Sequence, residues 1–100
     1  MASNFKISGR HKNATMEIRL AGDFDGTSAC ELLNFLAEHC DGAARVFVNT
    51  KGLKEIYPFG VETFQNNLYL LKGRGLRLFF TGKDATSIAP EPHKLLWVLP

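Results

Sequence analysis

No stretch of this sequence approaches the ~20 consecutive apolar residues of a membrane-spanning helix, which predicts no membrane insertion. The opening residues Met1-Ala2-Ser3-Asn4-Phe5-Lys6 are followed by no apolar run, so no signal peptide is expected. Without secretion, the glycosylation sequon Asn13-Ala14-Thr15 carries no weight. An excess of one charge is also missing: 12 Lys and Arg against 10 Asp and Glu leave a formal net charge of +2. Nucleic-acid binders usually carry a concentrated basic stripe, and so small a net charge predicts no such partner. Cysteine is scarce. Cys30 and Cys40 fall in one predicted helix, ~15 Å apart at 1.5 Å per residue, too far for a disulfide. That spacing fits a reducing cytoplasm. Cys40 is expected in the core and Cys30 on a flank of the helix.

Reactive constellations are absent as well. His11, His39 and His93 are scattered and match no metal spacing, so no metal and no cofactor are expected. Gly82-Lys83 lacks the preceding glycine of a phosphate loop. There is no G-x-S-x-G motif. With no visible nucleophile, base or metal cluster, the sequence reads as a non-enzyme. No repeat and no low-complexity segment interrupts it.

What is present is the composition of one globular domain: 100 residues, 45% hydrophobic and 22% charged. Phe5 and Ile7 alternate with Lys6 and Ser8, predicting a short first strand, and Gly9 to Ala14 has a loop composition. Met16, Ile18 and Leu20 alternate with Glu17 and Arg19, a half-buried strand that pairs with the first as an antiparallel hairpin. Ala21 to Gly26 breaks the pattern. A helix follows, with Ser28 and Glu31 at capping-box spacing and Ala29, Leu32, Leu33, Leu36 and Cys40 on one face. Asp41-Gly42 ends it. Arg45 to Asn49 is a short apolar strand placed parallel in the sheet centre. Pro58 suits the first turn of a second helix, whose stripe is Val61, Phe64, Leu68 and Leu71. Gly73 and Gly75 bracket its stop, and Leu76, Leu78 and Phe80 mark a fourth strand. Two right-handed parallel crossovers result. Asp84 to Ile88 makes about one helical turn, and Lys94 to Leu99 reads as a fifth strand.

In this order and spacing, several stretches resemble the STAS domain of anti-sigma-factor antagonists and sulfate transporters. Leu20-Ala21-Gly22-Asp23-Phe24-Asp25 resembles its opening "L-x-G-x-L-D". Val46-Phe47-Val48-Asn49 is similar to its central strand, and Gly73 to Phe80 to its "G-x-x-L-x-L" strand. Leu53 to Val61 is similar to "L-x-x-I-D-S-S-G-L". The resemblance covers roughly residues 14–82 of a single domain spanning 1–100. It implies an α/β (α+β) fold: a mixed sheet of four to five strands, central strands parallel, helices mainly on one face. It also implies a docking role in which the first serine of the turn is phosphorylated at a helix N-terminus. Here Tyr57, Pro58 and Phe59 replace the aspartate and both serines, and only Gly60 remains. Pro58 has no hydroxyl, so that switch is not carried over.

On a helical wheel, Tyr57 points inward while Phe59, Glu62, Thr63, Asn66 and Leu70 point outward. The expected partner surface joins the turn residues Tyr57 and Pro58 to the outward Phe59, Thr63, Asn66 and Leu70, with Asp23 and Asp25 of the neighbouring loop. For the two aspartates turn formation is the simpler role, and Thr63 reads as an ordinary surface threonine rather than a phosphosite. Lys51, Lys54, Lys72, Arg74, Arg77 and Lys83 are placed on one edge of the sheet, as solvated charges or as a site for an acidic ligand. The function expected is a bacterial cytoplasmic protein-binding module of signal transduction and transcription regulation, docking an anti-sigma factor or kinase-like regulator. A homodimer is compatible with this reading. The alternatives are an accessory subunit of a transporter ATPase and a small-ligand or nucleotide-binding STAS domain.

Overall fold

Alternation of buried and exposed residues along the strands decides which face of the sheet receives the helices. The computed structural model describes residues 4–39, 45–71, 77–88 and 96–98. The strands are β1 (Lys6–Lys12), β2 (Thr15–Phe24), β3 (Arg45–Ile56), β4 (Leu78–Thr81) and β5 (Leu96–Val98). The helices are α1 (Gly26–His39), α2 (Pro58–Asn66) and the single turn α3 (Ala85–Ile88), and a 3-10 turn (Leu68–Leu71) follows α2. The sheet order is β1-β2-β3-β4-β5. β1 and β2 are antiparallel, and every other neighbouring pair is parallel. The fold is thus the mixed sheet expected, with β5 present.

The first three strands are longer than their apolar patterns. Gly9 to Lys12 is strand rather than loop, and the turn shrinks to Asn13-Ala14 between paired Lys12 and Thr15. Asn13 adopts φ 57° there, a left-handed conformation that asparagine tolerates. β2 runs on through Ala21 to Phe24, with register shifts against β3 between Arg19 and Ala21 and between Gly22 and Phe24. β3 continues past Asn49 to Ile56 because its polar second half still pairs with β2. The capping box expected from Ser28 and Glu31 is replaced by Asp25, whose Oδ1 accepts from the Ser28 amide at 2.9 Å. Ser28 Oγ turns back to donate to the Asp23 carbonyl at 2.8 Å and to Asp25 Oδ1 at 3.0 Å. Cys40, the Asp41-Gly42 stop, and the Gly73 and Gly75 stop lie outside the described residues.

The core lies between the sheet and the helices. Met16, Ile18 and Leu20 of β2, Val46 and Val48 of β3, and Leu78 and Phe80 of β4 meet Ala29, Leu32, Leu33 and Leu36 of α1. On α2 the buried positions are Gly60 and Phe64, continued by Leu68 and Leu71. Val61, expected in that stripe, is only half-buried, because the first turn approaches its neighbour through Gly60 instead. Edge-to-face rings run through the centre from Phe5 to Phe24, Phe64 and Phe80, with centroids 6.2, 6.4 and 5.8 Å apart.

A buried hydroxyl closes the far end of the sheet. Thr50 is fully buried, donates from Oγ1 to the Thr81 carbonyl at 2.8 Å and accepts from the Asp84 amide at 3.2 Å. Thr50→Val keeps the shape and strands that amide. The expected cost is about 1–3 kcal/mol, read as a fall of at least ~4 °C in melting temperature. An unchanged melting temperature would show that the latch contributes nothing.

Candidate functional site

The turn from β3 into α2 is built by three local choices. Ile56 ends the strand opposite Phe24. Tyr57 takes an extended N-cap conformation (φ −91°, ψ 134°) and its amide donates to the Phe24 carbonyl at 3.0 Å. Pro58 then occupies the first turn, where a missing N–H costs nothing. The amides of Gly60 and Val61 donate to the Tyr57 carbonyl at 2.9 and 3.2 Å, closing that turn. Tyr57 supplies no side-chain cap to the helix.

Gly60 allows this turn to sit against the start of α1. A Cβ at Gly60 would lie 2.8 Å from the Asp25 backbone carbon and oxygen and from the Phe24 carbonyl oxygen. Backbone cannot yield there as a side chain would. Gly60→Ala is expected to cost about 1–3 kcal/mol; chemical denaturation measures it, and a cost below ~0.5 kcal/mol would mean that the two backbones are not held in contact. Gly26 plays the same part for Phe59: its Cβ would fall 2.8 and 2.9 Å from Phe59 Cε2 and Cδ2. The ring therefore rests one side on the bare backbone of Gly26.

The rest of that ring faces solvent. Phe59 is 70% exposed and Tyr57 46% exposed, the large exposed hydrophobic side chains among the described residues. Tyr57 was expected to point inward. As N-cap it precedes the helix, and a wheel does not extend to an extended residue. Phe59, Glu62 and Asn66 are outward as expected. Thr63 is half-buried, and its Oγ1 donates to the Phe59 carbonyl at 2.7 Å. Leu70 lies on the 3-10 turn, and its side chain lies outside the described residues. Asp25, Gly26, Thr27, Cys30, Phe59 and Thr63 line an open trough of about 540 Å³. Asp25 thus joins the Phe59 surface, whereas half-buried Asp23 accepts from Ser28 through its carbonyl and does not line the trough. Sequence reasoning missed Gly26 and Thr27, and placed Cys30 only on a helix flank. The helix phase could have found Cys30, but nothing in the sequence reports that Phe59 crosses over Gly26.

Two members of the expected basic edge are set apart. β3 and β4 are parallel, so Arg77, before β4, and Lys83, after it, lie at opposite ends of the strand. Lys83 Nζ is already held by the Leu53 carbonyl at 3.0 Å and by Asp84 at 2.7 Å. Lys72 and Arg74 lie outside the described residues. Among the described residues, no group of three or more His, Cys, Asp or Glu could hold a metal ion. No helix among them is long and apolar enough to cross a membrane.

No protein-family model and no curated protein matches the sequence. Solved structures do. The chain superposes on the anti-sigma factor antagonist SpoIIAA in its unphosphorylated form with a TM-score of 0.59 at 14% identity, over 96% of this chain and 87% of that one. The fold is SpoIIAA-like. An uncharacterised DUF3478 protein from Shewanella loihica, itself described as having a SpoIIAA-like fold, gives 0.59 at 15% identity, over 99% and 90% of the two chains. A crystal structure of Mglu gives 0.63 at 17% identity; this chain spans 89% of its own length but only 20% of Mglu. These likenesses establish the STAS-like fold. On the SpoIIAA-like frame, the strand-to-helix turn is Tyr57-Pro58-Phe59-Gly60, largely apolar and without a serine or threonine.

Proposed function

We propose that this protein is a non-catalytic protein-interaction module. It acts like an anti-sigma-factor antagonist in a bacterial cytoplasm and docks a regulatory partner through residues 57–60 and α2. The observation that carries this reading is the exposure of Phe59 and Tyr57 on either side of Pro58. An exposed aromatic anchor on a rigid helix start is the kind of residue that dominates a binding interface. Asp25, Thr63 and Asn66 provide a polar rim, as interfaces usually have. Docking is constitutive at this turn, since Pro58 carries no hydroxyl to modify.

The test is retention of binding proteins from native lysate by the wild type and by Phe59→Asp, with the retained proteins identified. A kinase-like regulator or anti-sigma factor held only by the wild type supports the reading. A transporter ATPase held only by the wild type supports the same surface with a different partner class. Equal retention by both proteins places the interface elsewhere and overturns it.

A further inference from the structure

The face of the sheet turned away from the helices bears a charge pattern that the net charge conceals. Residues paired across neighbouring strands share a face, so the register lays out this surface in rows. One row crosses the sheet as Lys12, Thr15 and Arg45 and ends at Arg77, one residue before the paired Val46 and Leu78. The next is Arg10, Glu17, Phe47 and Phe79, the last paired with Trp97 of β5. The third is Ser8, Arg19, Asn49 and Thr81. Lys51 stands beside Arg19 and Asn49 around a depression of about 400 Å³.

Glu17 is the single acidic residue in these rows. Glu31, Glu38 and Glu62 are on α1 and α2, the other side of the molecule. Lys12, Arg10, Arg19, Arg45, Lys51 and Arg77 are all exposed. In their midst, the half-buried rings of Phe47 and Phe79 stack with centroids 5.1 Å apart and planes 21° apart. Strands lie about 4.8 Å apart, so the outer cationic row spans roughly 14 Å across the sheet.

We infer that this face binds single-stranded nucleic acid. Phosphates run along Lys12, Arg45 and Arg77, and a base stacks at Phe47. Cations tracking a backbone beside aromatics that receive bases are what a sequence-tolerant single-strand surface requires, and an open sheet presents both at once. A second copy of this chain is a poor occupant, because it would set the same cations against one another. An acidic peptide would use the cations and make no use of the Phe47 ring. The site lies on the opposite side of the sheet from α2, so it is independent of the docking surface at Phe59.

The experiment is fluorescence anisotropy of the full chain with end-labelled single-stranded RNA and DNA of about ten nucleotides, within the usual site size, titrated at several salt concentrations. The expected result is micromolar binding whose log affinity falls with log salt at a slope of about −2, for three phosphates at ~0.7 each. Arg45→Ala with Arg77→Ala is expected to weaken binding roughly tenfold and flatten that slope. Phe47→Leu keeps an apolar side chain at the site and is expected to weaken binding by about fivefold or more, with the salt slope unchanged. Phe59→Asp should bind the oligonucleotide like wild type. Three results would each overturn the inference: no binding at low salt, equal binding by the arginine variant and wild type, or equal affinity for heparin with no effect of Phe47→Leu. Association with vesicles of anionic phospholipid in the absence of oligonucleotide binding would assign the face to a membrane surface instead. If Phe47→Leu fails to fold by circular dichroism, the salt slope and the arginine variant still decide the matter.

Discussion

Phe64→Ala is expected to destabilise the domain by about 3–5 kcal/mol, the usual cost of emptying a buried phenylalanine site. Phe64 is fully buried and is the middle ring between Phe24 and Phe80, at 6.4 and 5.8 Å. Each aromatic pair adds about 0.5–1.5 kcal/mol beyond burial, which puts the expected cost near the upper end. The ring is also the main apolar anchor of α2, a helix of 9 residues that is too short to persist without tertiary contacts. A domain of 100 residues has roughly 5–15 kcal/mol in total. The loss therefore takes a third or more of the stability and lowers the melting temperature by roughly 15–30 °C. Thermal unfolding followed by circular dichroism measures it. A fall below ~5 °C would mean that α2 does not depend on this ring.

Much of this architecture was legible in the sequence because it follows from period and position. Met16, Ile18 and Leu20 are buried on alternate residues, and Ala29, Leu32, Leu33 and Leu36 on helical spacing, as the two periods require. Pro58 marks the start of α2 for the reason proline usually does. The boundaries were less legible. Gly9 to Lys12 and Lys51 to Ile56 are strand despite their polar composition, because pairing with β2 satisfies their backbones. No local propensity encodes that partner. Ser28 looked like the cap and is instead held by it, since Asp25 reaches the Ser28 amide first. At the candidate site the exposed Phe59 was legible from helix phase, and Gly60 from its place in the resemblance. The seating of Phe59 on Gly26 and the exposure of Tyr57 required the packed structure.

The open face was illegible for a different reason. Its cations come from four separate stretches: Arg10 and Lys12, Arg19, Arg45 and Lys51, and Arg77. In sequence they are scattered; only the register of the strands brings them into rows. The sheet thus divides the molecule into two surfaces with unlike chemistry, an apolar turn on the helical side and a cationic aromatic face on the other.

Phe59→Asp is expected to remove partner binding by at least about a hundredfold while leaving the fold intact. The two halves of that expectation rest on different observations. With 70% of its surface exposed, Phe59 has little to lose from the core, so the change in melting temperature stays within a few degrees. Binding is another matter. A central aromatic anchor typically contributes 2 kcal/mol or more when truncated to alanine, a factor of about thirty. Aspartate also places a charge where the partner must exclude water, which adds a desolvation cost. The order expected is therefore wild type tightest, Phe59→Ala weakened about thirtyfold, and Phe59→Asp weaker still, measured by calorimetry with the captured partner. Tyr57→Ala should weaken binding less than Phe59→Ala, because the tyrosine is less exposed and lies ahead of the helix. Equal affinity of Phe59→Ala and wild type would remove this ring from the interface. Unfolding of Phe59→Asp would show that its contact with Gly26 supports the junction between β2 and α1, making Phe59 part of the scaffold rather than of a docking surface.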